Sequence, residues 1–356
     1  MKKKSLKINL NDSSHTFIIA EAGSNWKVGT YSNDLKQAKK LIETAKKCGA
    51  DAIKFQTYSS KGVYVFNAGK SKYLSKFGVH KKITELFDEF SMPHKMIKQL
   101  SSYCKTKKII FMSTAFSIDD AQAVNEYVSI HKIASYEINH IPLLKFLAKT
   151  KKPIILSTGA STLEEIDFAI KTIKKAGNND LALLQCTAKY PAPIESMNLS
   201  VISSLKKKYH IPLGLSDHSI DPIIAPLVAI GFGASIVEKH FTLNKNLEGP
   251  DHFFALEPKE LSTMIKAIRS ADKAKGNSVK EIVKEEKELR KFAVRSIQAI
   301  KNIQKGEKLK IGYNIDVLRP GNQSRGMDAR FLNKINDKNS LKRIKSGAGI
   351  KLSDCR

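Results

Sequence analysis

Short apolar runs recur along the chain, separated by stretches whose apolar positions return every three or four residues. The runs are FIIAEAG (17–23), DAIKFQT (51–57), KIIFMSTAF (108–116), HKIASYE (131–137), KPIILSTG (152–159), LALLQCT (181–187), IPLGLSDH (211–218) and SIVEKHF (235–241). Runs this short and this apolar read as buried strands. The stretches between them read as amphipathic helices. Residues 33–48 place Leu35, Ala38, Leu41, Ile42 and Ala45 on one face, with Asn33 and Asp34 as caps and Gly49 as the stop. Residues 161–177 repeat the design, with a Ser161–Glu164 capping box and Gly177 as the stop. LLKFLAKTKK, NLSVISSLKKK and DPIIAPLVAIGFG supply shorter crossovers. Eight strands alternating with helices predict an α/β fold, a parallel (β/α)8 TIM barrel.

Two stretches break the repeat. Residues 58–92 form a long insertion after the second strand, and residues 242–258 a long loop after the eighth. Both follow strand ends, so both are expected on the catalytic face. The chain of 356 residues exceeds a barrel of roughly 250, which leaves room for a second domain. From about residue 275 the text turns charged and periodic, then rich in short strands and turns. The expected division is a barrel over 1–275, a helical linker over 276–291 and a small β-rich domain over 292–356. So small a domain is expected to dock on a barrel rather than stand alone.

The strand ends carry Glu21, Lys54, Gln56, Thr114, Ser135, Glu137, Ser157, Ser216, His218 and His240. In this fold the active site lies at those ends. His218 and His240 close successive strands, so their imidazoles can converge on a divalent ion such as Mn²⁺, Mg²⁺, Co²⁺ or Zn²⁺. Lys54 and Lys132 stand among apolar neighbours, and a buried lysine needs a counter-ion. Thr114, Ser135, Ser157 and Ser216 add hydroxyls, and Gly159 admits backbone N–H groups. Together they suit a ligand bearing both phosphate and carboxylate. The competing reading of each hydroxyl is a cap on the helix that follows. Glu21, Gln56, Glu137 and Asp251 suit polyol binding or proton transfer; for the carboxylates the competing reading is a salt bridge to a nearby lysine. The chain has no P-loop, no Ser-His-Asp motif and no GxGxxG after the first strand.

Charge and cysteines change this picture little. The net charge is +27, but the lysines are scattered over helix faces without an arginine–aromatic patch, which argues against nucleic acid as a partner. No apolar run is long enough to span a membrane, and no apolar segment follows the basic N-terminus as in a secretory signal. Four cysteines without a CxxC pair point to a reducing, cytoplasmic setting. Cys186, on a barrel strand, reads as a small buried hydrophobe.

The segments IIAEAGSN, GADAIKFQTY, FMSTAFS, KIASYEI, PIILSTGAS, LLQCTAKYPAP, GLSDHS, VEKHFT and GPDH, followed by RSI, KGE and LRPGN, resemble the N-acylneuraminate (sialic acid) synthase family. That family includes the legionaminic and pseudaminic acid synthases. The resemblance implies a barrel joined to a C-terminal antifreeze-like (SAF) domain. It implies a transferase that condenses phosphoenolpyruvate with an N-acylated hexosamine, giving a nine-carbon 2-keto acid and phosphate. It also implies a homodimer in which each SAF domain covers the partner's barrel. Lys54, Thr114, Lys132, Ser135, Ser157 and Ser216 match phosphoenolpyruvate contacts, and His218 and His240 match the ligands of a divalent metal, Mn²⁺ first and Mg²⁺ or Co²⁺ next. Glu21, Gln56, Glu137, Tyr190 and Asp251 match groups around the sugar. Arg319 matches an arginine inserted in trans. Glu21 or Glu137 would deprotonate the attacking water. Two positions depart from the family pattern: Asn25-Trp26-Lys27-Val28-Gly29 after the first strand, and Ala188 within CTAKYP.

Two alternatives stand beside this reading. One is another barrel that joins phosphoenolpyruvate to a phosphosugar, against which the SAF-like tail speaks. The other is an inactive binding relative, against which the joint presence of Lys54, His218, His240 and Arg319 speaks.

Overall fold

Eight parallel strands close on themselves in chain order in the computed structural model, which describes residues 14–71 and 80–356. They are β1 (Phe17–Gly23), β2 (Ala52–Thr57), β3 (Ile110–Ala115), β4 (His131–Ile133), β5 (Ile154–Ser157), β6 (Leu181–Cys186), β7 (Leu213–Asp217) and β8 (Ile236–His240). β8 returns to pair with β1 in parallel. The basic run at residues 1–13 and residues 72–79 of the insertion lie outside the described residues.

The period of two along each strand sorts the side chains. One set points into the barrel and packs its floor: Phe17, Ile19, Ala52, Met112, Ile155, Ala182, Leu184 and Ile236. The other set, with Ile18, Ile53, Phe55, Leu156, Leu183, Leu215 and Val237, packs on the helix layer. Each large side chain buried this way contributes about 1.5–3 kcal/mol. Gly214 sits where no Cβ fits: one would stand 2.4 Å from the Ile236 carbonyl and 2.6 Å from Leu184.

The helices are α1 (Tyr31–Cys48), α2 (Ser60–Val63), α3 (Ile83–Glu89), α4 (His94–Lys107), α5 (Ile118–Asn125), α6 (Ile141–Lys149), α7 (Leu163–Lys175), α8 (Val201–Tyr209), α9 (Ile224–Gly231) and α10 (Pro258–Ala274). The predicted caps need correction. Thr30 caps α1, while Asp34 accepts from the N–H groups of Val28 and Gly29 and from Lys27. Gly49 does end that helix, at φ +97°. The capping box of α7 is Thr162 with Glu165, because Ser161 instead donates to the Gly159 carbonyl. The fourth run is a strand only to Ile133, and Ser135–Glu137 form a 3₁₀ turn.

The chain divides into two compact units, up to Gly276 and from Asn277. The second holds an antiparallel pair, β9 (Ser296–Ala299) and β10 (Ile315–Leu318), over a core of Ile297, Ile303, Leu309, Ile315, Ile335, Ile344 and Ile350. The helical linker expected over 276–291 is helical only from Lys284, through a 3₁₀ turn into α11 (Lys287–Ala293). Gly276 and Ser278 both adopt left-handed backbone, φ +60° and +63°, and break it. Among the described residues no helix is long and apolar enough to cross a membrane.

Candidate active site

Above the apolar floor the inward positions turn polar. The same alternation that points Ile19, Ala52, Met112, Ile155 and Ile236 inward points Glu21, Lys54, Thr114, Ser157 and Glu238 inward one pleat higher. They line a cavity of about 620 Å³ together with Gln56, Lys132, Ser135, Cys186, Tyr190, Ser216, His218, His240 and Asp251. Tyr64, Ser71, Ile83 and Phe87 from the insertion also line it, as do Phe253 and Phe254 from the loop after β8.

The floor of this cavity is a buried charge cluster. Lys54 Nζ lies 2.8 Å from Glu21 Oε2 and donates to Thr114 Oγ1 at 2.9 Å. Lys132 Nζ donates to Ser157 Oγ at 2.7 Å and to the Ile133 carbonyl at 2.9 Å. Glu238 Oε1 stands between the lysines, 3.7 Å from Lys54 and 3.9 Å from Lys132, and accepts from Ser216 Oγ at 3.2 Å. Glu238 Oε2 is buried without a hydrogen-bond partner. Gln56 Nε2 donates to Glu21 Oε1 at 2.9 Å. Ser135 Oγ accepts the Gly159 N–H at 2.9 Å. None of the four hydroxyls caps a helix; three join the charge cluster and Ser135 pins the turn after β5.

Burial and neighbours shift these groups in opposite directions. Burial pushes Glu21 up to about 7 despite Lys54. Glu238 is held below its ordinary range, since Lys132 and Lys54 together outweigh its burial. Lys54 is held above its ordinary range because Glu21 and Glu238 outweigh burial, whereas burial lowers Lys132. At neutral pH the cluster therefore sets two lysines against one firmly ionised carboxylate and one near its midpoint. That surplus favours an anionic ligand.

His218 and His240 stand side by side, ring centroids 5.6 Å apart. His218 Nδ1 bonds the Thr187 carbonyl at 2.9 Å. A carbonyl only accepts, so Nδ1 carries the proton and Nε2 keeps its lone pair. Burial lowers His218 to about 4 and His240 to about 3, so both are neutral, the ligating form. His240 Nδ1 is buried and lacks a hydrogen-bond partner. These two rings fit a divalent ion. Among the described residues no group of three or more His, Cys, Asp and Glu could hold one, so water and substrate oxygens would complete its shell.

The expected sugar-binding residues spread around this centre. The Tyr190 ring lies over His218 at 4.1 Å between centroids and meets Phe254 at 5.4 Å. Asp251 Oδ2 accepts from the backbone N–H and Oγ of Ser24 at 3.0 and 2.9 Å. Gly23, at φ +51°, permits that approach: a Cβ there would stand 2.5 Å from Asp251 Oδ2 and 3.3 Å from the His240 ring. Glu137 is buried and raised to about 7, but it is not among the cavity-lining residues, although Ser135 and Tyr136 beside it are. Arg319 belongs to the second unit, where it is exposed and makes no ion pair with Asp316 among the described residues. Cys186 lines the cavity with its thiol raised by burial, in keeping with an unreactive side chain.

Sequence reasoning missed Glu238 and Lys189. The signal for Glu238 was present: it lies two residues from His240 on one strand, so both point inward, and it pairs in register with Ser216. Lys189 lies on a loop and had no such signal.

The sequence profile of the NeuB family matches residues 41–280. The spore coat polysaccharide biosynthesis protein SpsE of Bacillus subtilis is 41% identical over 88% of this chain and 86% of its own length. Its crystal structure superposes with a TM-score of 0.63 over 96% of this chain and 95% of that one. The N,N'-diacetyllegionaminic acid synthase of Campylobacter jejuni is 39% identical, covering 91% of this chain and 96% of that protein. The pseudaminic acid synthase of the same organism is 36% identical, covering 97% and 98%.

Proposed function

The chain belongs to the NeuB family, and on that premise we propose that it condenses phosphoenolpyruvate with an N-acylated hexosamine to form a nine-carbon 2-keto sugar acid and phosphate. The observation that carries this reading is the convergence of Lys54, Lys132 and three hydroxyls beside two neutral histidines at one end of the barrel. Lys54, Lys132, Thr114, Ser135, Ser157 and Ser216 grip the phosphate and carboxylate of phosphoenolpyruvate. Most of the rate gain comes from this positioning and from the cationic field.

His218 and His240 would hold the divalent ion, Mn²⁺ or else Mg²⁺ or Co²⁺, which supplies Lewis-acid polarisation of the open-chain sugar aldehyde. C3 of phosphoenolpyruvate forms the new bond to the aldehyde carbon, and the aldehyde oxygen takes up a proton. Forming that bond leaves cationic character at C2, to which water adds with one proton passing to a carboxylate. The C2–O bond to phosphate then breaks, phosphate keeping the bridging oxygen, and the new C2 hydroxyl gives up its proton to leave the ketone. Glu21 suits the base better than Glu137, because both titrate near neutrality but only Glu21 lines the cavity. Gln56, Tyr190 and Asp251 flank the sugar, with N-acetylmannosamine or a 2,4-diacetamido-trideoxyhexose as the candidates.

The family resemblance adds a SAF fold for the second unit, and a homodimer in which Arg319 of one subunit completes the site of the other. The test is incubation with phosphoenolpyruvate, Mn²⁺ and a panel of N-acylhexosamines, with mass analysis of the products. A mass equal to hexosamine plus pyruvate, with equimolar phosphate, is expected for at least one sugar. Phosphate release without a joined product would reject the reading.

A further inference from the structure

Directly behind the two histidines lies a second polar pair that takes no part in lining the cavity. Asp217 and Lys239 precede His218 and His240 and are partners across β7 and β8. Because side chains alternate, the histidines face inward and this pair faces outward. Lys239 Nζ lies 2.7 Å from Asp217 Oδ2, and both side chains are closed to solvent, at 1% and 0% exposure. The same ammonium reaches the Ser219 carbonyl at 2.5 Å, Ser219 Oγ at 3.1 Å and the Asp221 carbonyl at 3.1 Å. Asp217 Oδ1 accepts the Ser219 N–H at 2.7 Å. Asp221 Oδ1 in turn accepts the N–H groups of Ile223 and Ile224 at the start of α9.

We propose that Asp217 and Lys239 are positioning residues that set the separation and aim of His218 and His240. The ammonium gathers four oxygens from β7 and its loop onto β8. The strand bearing one histidine is thereby locked to the turn that follows the other. A buried ion pair seldom stabilises more than well-packed apolar side chains of equal volume. What it adds is a single geometry for the two strand ends that carry the histidines, and residues that orient metal ligands commonly control metal affinity 10–100-fold. The inference rests on the metal-binding reading of the two histidines.

The test compares Mn²⁺ affinity, by titration of the full chain, in the parent, His218→Ala, Ser219→Ala and the double variant Asp217→Asn/Lys239→Met. The double variant removes both charges together, so no unpaired charge is buried. Expected are a melting temperature close to the parent, phosphoenolpyruvate affinity unchanged, and Mn²⁺ affinity reduced roughly 10–100-fold. Should the double variant fail to fold, Ser219→Ala, which deletes one acceptor and no charge, is expected to weaken Mn²⁺ several-fold, and parental affinity there overturns the proposal. Loss of Mn²⁺ binding in His218→Ala with full binding in the double variant overturns the positioning role alone. Full binding in both overturns the metal reading and this inference with it.

Discussion

The ammonium of Lys54 lies 2.8 Å from a carboxylate oxygen of Glu21, and the two residues are register partners on β1 and β2. Glu21 titrates near 7, so it is a counter-ion that yields its charge easily. Lys54 is thus held in an apolar barrel without being locked away from an incoming anion. Glu238, held below its ordinary range, is the main counter-charge for Lys132 and stands second to Glu21 for Lys54.

Lys54→Met should therefore act on one substrate. Truncating one partner of a buried charge pair costs about 2–5 kcal/mol, so the phosphoenolpyruvate KM or kcat/KM should worsen by roughly 30-fold or more. The hexosamine KM should stay within a few-fold. Steady-state kinetics with each substrate varied decides this, and an unchanged phosphoenolpyruvate KM would remove Lys54 from the anion site.

Glu238→Gln keeps the shape and removes the charge shared by two lysines. Lys132, already lowered by burial, would fall further without it. Activity at neutral pH should drop by about two orders of magnitude, while circular dichroism and the melting temperature stay near the parent. A fully active variant would show that the lysines need no counter-charge of their own.

His131, on β4, titrates near 4 because burial and the nearby Lys152 keep its imidazole neutral. The unfolded chain takes up that proton near 6.5. Below 6.5 the unfolded state binds more protons, so stability is full above 6.5 and is lost as pH falls toward 4. The loss is on the order of 2–3 kcal/mol. Urea midpoints at pH 7 and pH 4.5 should differ less in His131→Gln than in the parent. Equal differences would show that another group dominates the acid limb.

Arg319 is exposed within the second unit, so Arg319→Ala should fold normally. If it serves the partner's barrel, mixing inactive Arg319→Ala chains with inactive His240→Ala chains restores one competent site per heterodimer. Verified heterodimers that remain inactive would place the arginine in cis or exclude the swapped arrangement.

Much of this site was legible in the sequence, because a barrel turns strand order and alternation into geometry. Eight apolar runs located the strands, and their ends named most of the lining. Three features escaped. Glu238 was left out of the lining, although a period of two puts it on the same face as His240. Glu137 was counted with the lining as though its strand ran on, but β4 stops at Ile133 and the turn after it carries the carboxylate off the cavity surface. The helix caps fell one or more residues away from prediction, because Asp34 and Ser161 spend their side chains on neighbouring loop backbone. Arg319 had no local signal beyond its motif, since the role proposed for it depends on a second chain.

The most direct measurement follows the bridging oxygen of phosphoenolpyruvate. Supplied with heavy oxygen at the C2–O–P bridge, together with Mn²⁺ and an accepted N-acylhexosamine, the enzyme should release phosphate that carries the label, alongside a nine-carbon 2-keto acid. Unlabelled phosphate, or labelled phosphate with no joined acid, would contradict addition of water at C2 and with it the condensation assigned to Lys54, Lys132, His218 and His240.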